Sequence, residues 1–106
     1  MSLTVVVTRN VEDRYRGFLS SVMLEVSTGV YISPALNRGA RERIWAVLSE
    51  WHAHLGNGSV LMTWTERDQP GGVGLLILGE PARQLVSVDG LLLVRAFRAD
   101  GNFRTG

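Results

Sequence analysis

Hydrophobic and polar positions along the chain fall into two periods, and the changes of period mark out its elements. Leu3 to Thr8 is a β-branched apolar run of strand length. Tyr15, Phe18, Leu19, Val22, Met23 and Val26 then recur at the i, i+3, i+4, i+7 spacing of one helix face. Asn10 is the expected N-cap of that helix, with Glu12 and Asp13 in its first turn, where acids face the positive helix end. Ser27-Thr28-Gly29 is the expected stop, and Val30-Tyr31-Ile32 a short strand.

Ser33-Pro34 predicts a second helix start, with serine as cap and proline in the first helical position. Ala40, Ile44, Val47, Leu48, Trp51 and Leu55 line one face of that helix, and Gly56-Asn57-Gly58 ends it. From Ser59 to Glu66 the pattern alternates, with Val60, Met62 and Trp64 on one side. Asp68-Gln69-Pro70-Gly71-Gly72 reads as a turn, so Val73 to Leu78 should return as an antiparallel strand. Gly79-Glu80-Pro81 ends it, and Asp89-Gly90 is a further turn before an apolar strand from Leu91 to Phe97. This divides the chain into one domain over 1–97 and a polar, glycine-containing tail over 98–106.

Two helices among several strands predict an α+β, ferredoxin-like βαββαβ sandwich with both helices on one face of the sheet. The runs Val5-Val6-Val7, Leu75-Leu76-Ile77-Leu78 and Leu91-Leu92-Leu93-Val94 are nevertheless apolar on both faces. Two helices cover one face. The other would be an apolar patch of a kind soluble monomers rarely expose. A second copy in an isologous homodimer is the expected cover, the alternative being the C-terminal segment folded across it.

Composition narrows the chemistry. With no cysteine among 106 residues, disulfides, thiol catalysis and cysteine-zinc sites are excluded, and a cytoplasmic location is expected. The first residues carry no basic n-region of a signal peptide, and no apolar run approaches the roughly 20 residues of a membrane helix, so no membrane role is expected. No Gly-x-Ser-x-Gly elbow occurs, and Pro70-Gly71-Gly72-Val73-Gly74 lacks the Lys-Ser/Thr of a phosphate loop. His52 and His54 are two apart on a helix, which does not make a metal pair. Of the candidate metal carboxylates Glu12, Asp13, Glu66, Asp68, Glu80 and Asp89, the first two read as helix-start charges and Asp68 and Asp89 as turn residues, and the six form no convincing cluster.

The net charge is only +1, but every one of the eleven basic residues is arginine. Genomic base composition accounts for such a bias; so does a surface that holds phosphate bidentately. Arg9 follows the first strand, and Arg14 and Arg16 lie off the apolar face in the opening turns of the first helix, where free N–H groups also favour phosphate. Arg38 and Arg41 open the second helix in the same way, and Arg83 is expected in a loop after the strand ending at Leu78. In a two-fold dimer each cluster appears twice. These six arginines are the candidate nucleic-acid contacts, set against an ordinary solvated surface with Glu12, Asp13 and Glu42 as counter-charges.

The segments Leu3 to Val11, Arg14-x-Arg16-Gly17-x-Leu19, Leu24-Glu25-Val26-x-x-Gly29-Val30-Tyr31, Arg41-Glu42-x-Ile44-Trp45, Gly58-x-Val60-x-Met62-x-Trp64, Gly79-Glu80 and Val88-Asp89-Gly90-Leu91-x-Leu93-Val94 resemble, in this order, the small CRISPR-associated adaptation protein "Cas two", and within it the type I-E subtype. The resemblance covers roughly residues 1 to 97. It implies a ferredoxin-like homodimer that bridges integrase subunits ("Cas one") and holds double-stranded foreign DNA before insertion into the CRISPR array. Arg14 and Arg16 would clamp the duplex backbone, the integrase would catalyse strand transfer, and the segment from Leu91 onward would dock on the integrase. Many relatives place an aspartate at the end of the first strand to hold magnesium for nuclease activity; here that stretch reads Thr8-Arg9-Asn10. An arginine repels a cation and asparagine is a weaker ligand. The expectation is therefore a non-catalytic DNA-binding scaffold in antiviral defence with no catalytic or metal residues of its own, the alternative being a metal-dependent endonuclease acting on RNA or DNA.

Overall fold

The β-branched run at the start of the chain becomes the middle strand of a sheet. The computed structural model describes residues 2–80, 83–97 and 103–105. β1 (Ser2–Arg9) pairs antiparallel with β3 (Val30–Leu36) on one side and with β4 (Ser59–Thr65) on the other. β2 (Leu24–Ser27) extends the sheet beyond β3, and β5 (Val73–Leu78) extends it beyond β4, giving the order β2-β3-β1-β4-β5. With α1 (Asp13–Val22) after β1 and α2 (Arg38–Leu55) after β3, this is the expected α+β, ferredoxin-like arrangement with one added edge strand.

Residues paired across strands share a face of the sheet. Val6 opposes Tyr31 and Met62, and Thr8 opposes Val60. On this face Val6, Tyr31, Val60 and Met62 are buried against Tyr15, Leu19, Ile44 and Leu48 of the helices. Trp51 of α2 locks the helices together, meeting the Tyr15 and Phe18 rings edge-on at 5.4 and 5.5 Å between centroids. The odd-numbered positions of β1 face the other way. Val5 opposes Ile32 and Thr63; Val7 opposes Val30 and Leu61; Leu61 opposes Ile77. None of these is buried, and Leu3 at the end of the row is 47% exposed. The described residues leave this apolar face open.

Several local expectations are corrected. Asn10 does not cap α1: it takes a left-handed φ of 57°, which asparagine tolerates, and turns the chain, while Glu12 occupies the cap position. The helix ends at Val22, and Leu24–Ser27, expected as its last turn, is the edge strand β2. Ser33-Pro34 lies inside β3 rather than starting a helix. The proline is tolerated because β2 pairs with β3 only as far as Ile32, so beyond it one side of β3 needs no donor. The cap of α2 is Asn37, whose side chain accepts from the Ala40 amide at 2.8 Å. Its stop is as expected: Gly56 is left-handed and its amide donates to the His52 carbonyl at 2.9 Å.

A second sheet, unforeseen as such, follows β5. β6 (Arg83–Val88), β7 (Leu91–Phe97) and β8 (Phe103–Thr105) pair antiparallel in sequence order. Asp89 and Gly90 both have positive φ, which makes the two-residue hairpin turn between β6 and β7. β6 fills a stretch for which the sequence suggested no element, and β8 falls within the segment expected to be a tail. Residues 98–102 and 106 of that segment lie outside the described residues. Leu92 of this sheet packs on the turn Pro70–Gly72, where a Cβ on Gly71 would stand 2.8 Å from its Cδ1.

Candidate nucleic-acid interface

The topology sorts the expected arginines into two groups. β1 runs towards the end of the sheet where α1 begins and α2 finishes, so Arg9, Arg14 and Arg16 gather there. α2 begins at the opposite end, beside Ser2, and brings Arg38 and Arg41 with it. The two ends of β1 stand roughly 23 Å apart, at about 3.3 Å per residue of strand. Arg83, expected in a loop, instead opens β6, where it pairs with Ala96 of β7; its side chain is outside the described residues.

At the first end the guanidinium groups are open to solvent, with side-chain exposures of 73%, 54% and 60% for Arg9, Arg14 and Arg16. Each has an acidic neighbour. Arg9 lies 3.9 Å from Glu80, Arg14 3.9 Å from Glu12, and Arg16 3.5 Å from Glu25 on β2. Exposed pairs of this length contribute about 0–1 kcal/mol each, so the arginines are loosely held and can exchange a carboxylate for a phosphate oxygen. Arg14 is steadied further over the Trp51 ring at 5.7 Å, an interaction the sequence did not suggest. Glu25 also accepts from the Gly29 amide at 3.3 Å, tying Arg16 to the β2–β3 turn. Beneath this surface, burial raises the Tyr15 phenol above its ordinary value, with Glu12 adding to the effect and Arg14 opposing it. Burial and the neighbouring Glu25 carboxylate do the same to Tyr31.

At the other end the arrangement differs. Arg38 is exposed and donates through Nε to Glu42 at 2.9 Å, one helical turn on. Arg41 is not a surface residue. Its side chain is 8% exposed, its guanidinium lies 4.2 Å over the Trp64 ring, and Glu66 stands 3.7 Å away. Arg41 is thus recessed, unlike the other arginines whose side chains are described. The sequence held a signal for this: Arg41, Ile44 and Leu48 fall at i, i+3 and i+7 on the buried stripe of α2.

The resemblance implies magnesium at the end of β1, and the residues there do not fit it. The strand ends on Arg9, a fixed cation that already faces Glu80. Asn10, turned to a left-handed conformation, supplies a neutral amide. Among the described residues no group of three or more His, Asp or Glu side chains gathers as a metal ligand set. Glu12 and Asp13 stand at the start of α1, Asp68 in the β4–β5 turn and Asp89 in the β6–β7 hairpin, as expected. His52 meets the Gly58 carbonyl at 3.2 Å through Nε2. No described helix is long and apolar enough to cross a membrane.

Comparison with known families gives one result. The model of a family described as CRISPR-associated protein (Cas_Cas2CT1978) matches residues 3–93, which include both helices, all five strands of the first sheet, β6 and the start of β7. By that match the chain belongs to the CRISPR-associated protein family Cas_Cas2CT1978, and its role lies in CRISPR defence.

Proposed function

We propose that this chain is a non-catalytic, DNA-binding scaffold of spacer acquisition, of the type I-E kind. Two copies pair through the open sheet face and hold duplex DNA by its backbone for a partnering CRISPR integrase. The observation that carries the reading is the row of three solvent-open, loosely paired arginines, Arg9, Arg14 and Arg16, at one end of a sheet whose other face is apolar and left open by the described residues. Pairing through that face would bury Val5, Val7, Ile32, Leu61 and Ile77 and duplicate the row across a two-fold axis. Six guanidinium groups would then track phosphates without reading bases. The guanidinium at the end of β1 favours grip over cleavage, because a cation there binds a phosphate and supplies no metal-bound water.

The test is duplex binding as a function of salt, followed by fluorescence anisotropy. Affinity should fall steeply with salt and be indifferent to sequence. In the double variant Arg14→Ala, Arg16→Ala the slope of log K against log salt should shrink by about 3.6, since four contacts per dimer each release about 0.9 counterion. Integration by the complex with the integrase should fall with it. Melting should fall only slightly, since both arginines make exposed ion pairs and Arg14 loses in addition its contact with the Trp51 ring, worth about 0.5–1 kcal/mol. A slope equal to that of the parent protein refutes the clamp. Magnesium-dependent cleavage that survives purification and is lost in Glu80→Gln would refute the non-catalytic reading.

A further inference from the structure

We infer that the chain holds a second, separate anion site: a cleft at the α2 N-terminal end of the sheet in which the recessed Arg41 guanidinium takes a phosphate-type oxyanion. The cleft has a volume of about 650 Å³ and is lined by Ser2, Leu36, Arg38, Arg41 and the segment from Thr65 to Asp68. A smaller one of about 390 Å³, lined by Trp45, Trp64, Gln69 and Leu76, shares Arg38, Arg41 and Glu66 with it. The larger falls within the size range of small-ligand sites.

Arg41 is more than nine-tenths buried, yet its five N–H donors make no hydrogen bond to any described residue. Its nearest carboxylate, Glu66, lies 3.7 Å away, too far for a hydrogen bond, and that group accepts instead from the Trp64 indole N–H at 3.1 Å. Such a recessed guanidinium, whose donors meet only the solvent of the cleft, can turn them to an oxyanion in short charge-assisted bonds. Trp64 fixes the plane of the guanidinium from below. Its indole in turn lies so close to Gly74 that no side chain would fit there.

The charges around the two clefts balance, three arginines against three carboxylates, so the attraction rests on Arg41 itself. Arg38, Arg41 and Arg67 face Glu66 and Asp68. Glu42, at the rim of the smaller cleft, is engaged by Arg38. The first turn of α2 adds a positive dipole end, with Asn37 using its side chain on the Ala40 amide. The size of the cleft suits inorganic phosphate or the phosphate of a single nucleotide.

The site is independent of the proposed DNA clamp, so the two can fail separately. The probe is inorganic phosphate, titrated into the full-length protein against chloride at matched ionic strength, with the Arg41 Nε–H and Trp64 indole N–H signals followed by nuclear magnetic resonance. A saturable shift of these two signals, with Arg14 and Arg16 unmoved, is expected. Arg67→Ala, an exposed residue outside the core, should weaken phosphate about tenfold, the equivalent of one charge-assisted contact. Adenosine 5′-monophosphate should compete if the natural ligand is a nucleotide; failure to compete while phosphate binds assigns the site to the free ion. Shifts that never saturate, that appear equally at Arg14 and Arg16, or that are unchanged in Arg67→Ala overturn the inference.

Discussion

Replacing Tyr15 by phenylalanine should stabilise this protein, and the gain should grow in alkali. Tyr15 is completely buried, and its hydroxyl has no hydrogen-bond partner among the described residues. A buried hydroxyl left unpaired costs about 1–3 kcal/mol, while the ring keeps its edge contact with Trp51 in the variant. Tyr15→Phe should therefore raise the unfolding free energy by about 1 kcal/mol at pH 8. The second effect follows from linkage. The folded phenol titrates above its ordinary value of 10.0 and the unfolded one near it. Stability is thus intact below pH 10 and declines as the unfolded chain loses protons that the folded chain keeps. Above pH 10 each raised tyrosine therefore lowers the parent's stability further as the pH climbs. Tyr31, raised in the same direction, contributes equally to parent and variant, so the gap between them widens by one tyrosine's share. The composition makes the measurement clean: the chain has two tyrosines, no lysine and no cysteine, so arginine is the next side chain to titrate. Denaturant unfolding at fixed protein concentration, followed by tryptophan fluorescence at pH 8, 9, 10 and 11, reads both effects. A less stable Tyr15→Phe at pH 8, or a gap that stays constant between pH 9 and 11, refutes the reasoning.

Other outcomes follow from the same packing. Leu61→Glu puts a carboxylate in the middle of the open sheet face and should weaken self-association at least about a hundredfold, leaving a folded monomer in sedimentation; a dimer of unchanged affinity would rule that face out as the interface. Gly74→Ala places a methyl group against the Trp64 indole and should lower stability by about 1–3 kcal/mol with a change in tryptophan emission, because the ring must leave Arg41 to make room.

How much of this was legible in the sequence depended on how local the deciding forces were. β1 could be read because Val5, Val6 and Val7 favour a strand in any context, and the end of α2 because Gly56 meets a steric demand of its own. Leu24–Ser27 was misread because four residues fit either period, and what makes them a strand is the neighbouring β3, a partner remote from helix propensity. Ser33-Pro34 carried a genuine helix-start signal that was overridden by pairing on the other side of β3 with β1. For the arginines, spacing placed Arg14 and Arg16 on the exposed side of α1, where they are. It did not separate Arg41 from Arg38, although the apolar stripe of α2 runs through the former. The Trp64–Glu66 platform beneath Arg41 comes from a different element and could not be inferred from α2 alone.

The short outer strand β2 carries a further meaning. It is four residues long, its register slips between Glu25 and Ser27, and Glu25 is drawn towards Arg16 on the helix. A rim this brief and irregular is a poor template for another backbone. Growth of the sheet by strand addition is therefore discouraged at that border. An association using the flat apolar side can then close on itself as a finite particle instead of seeding fibres.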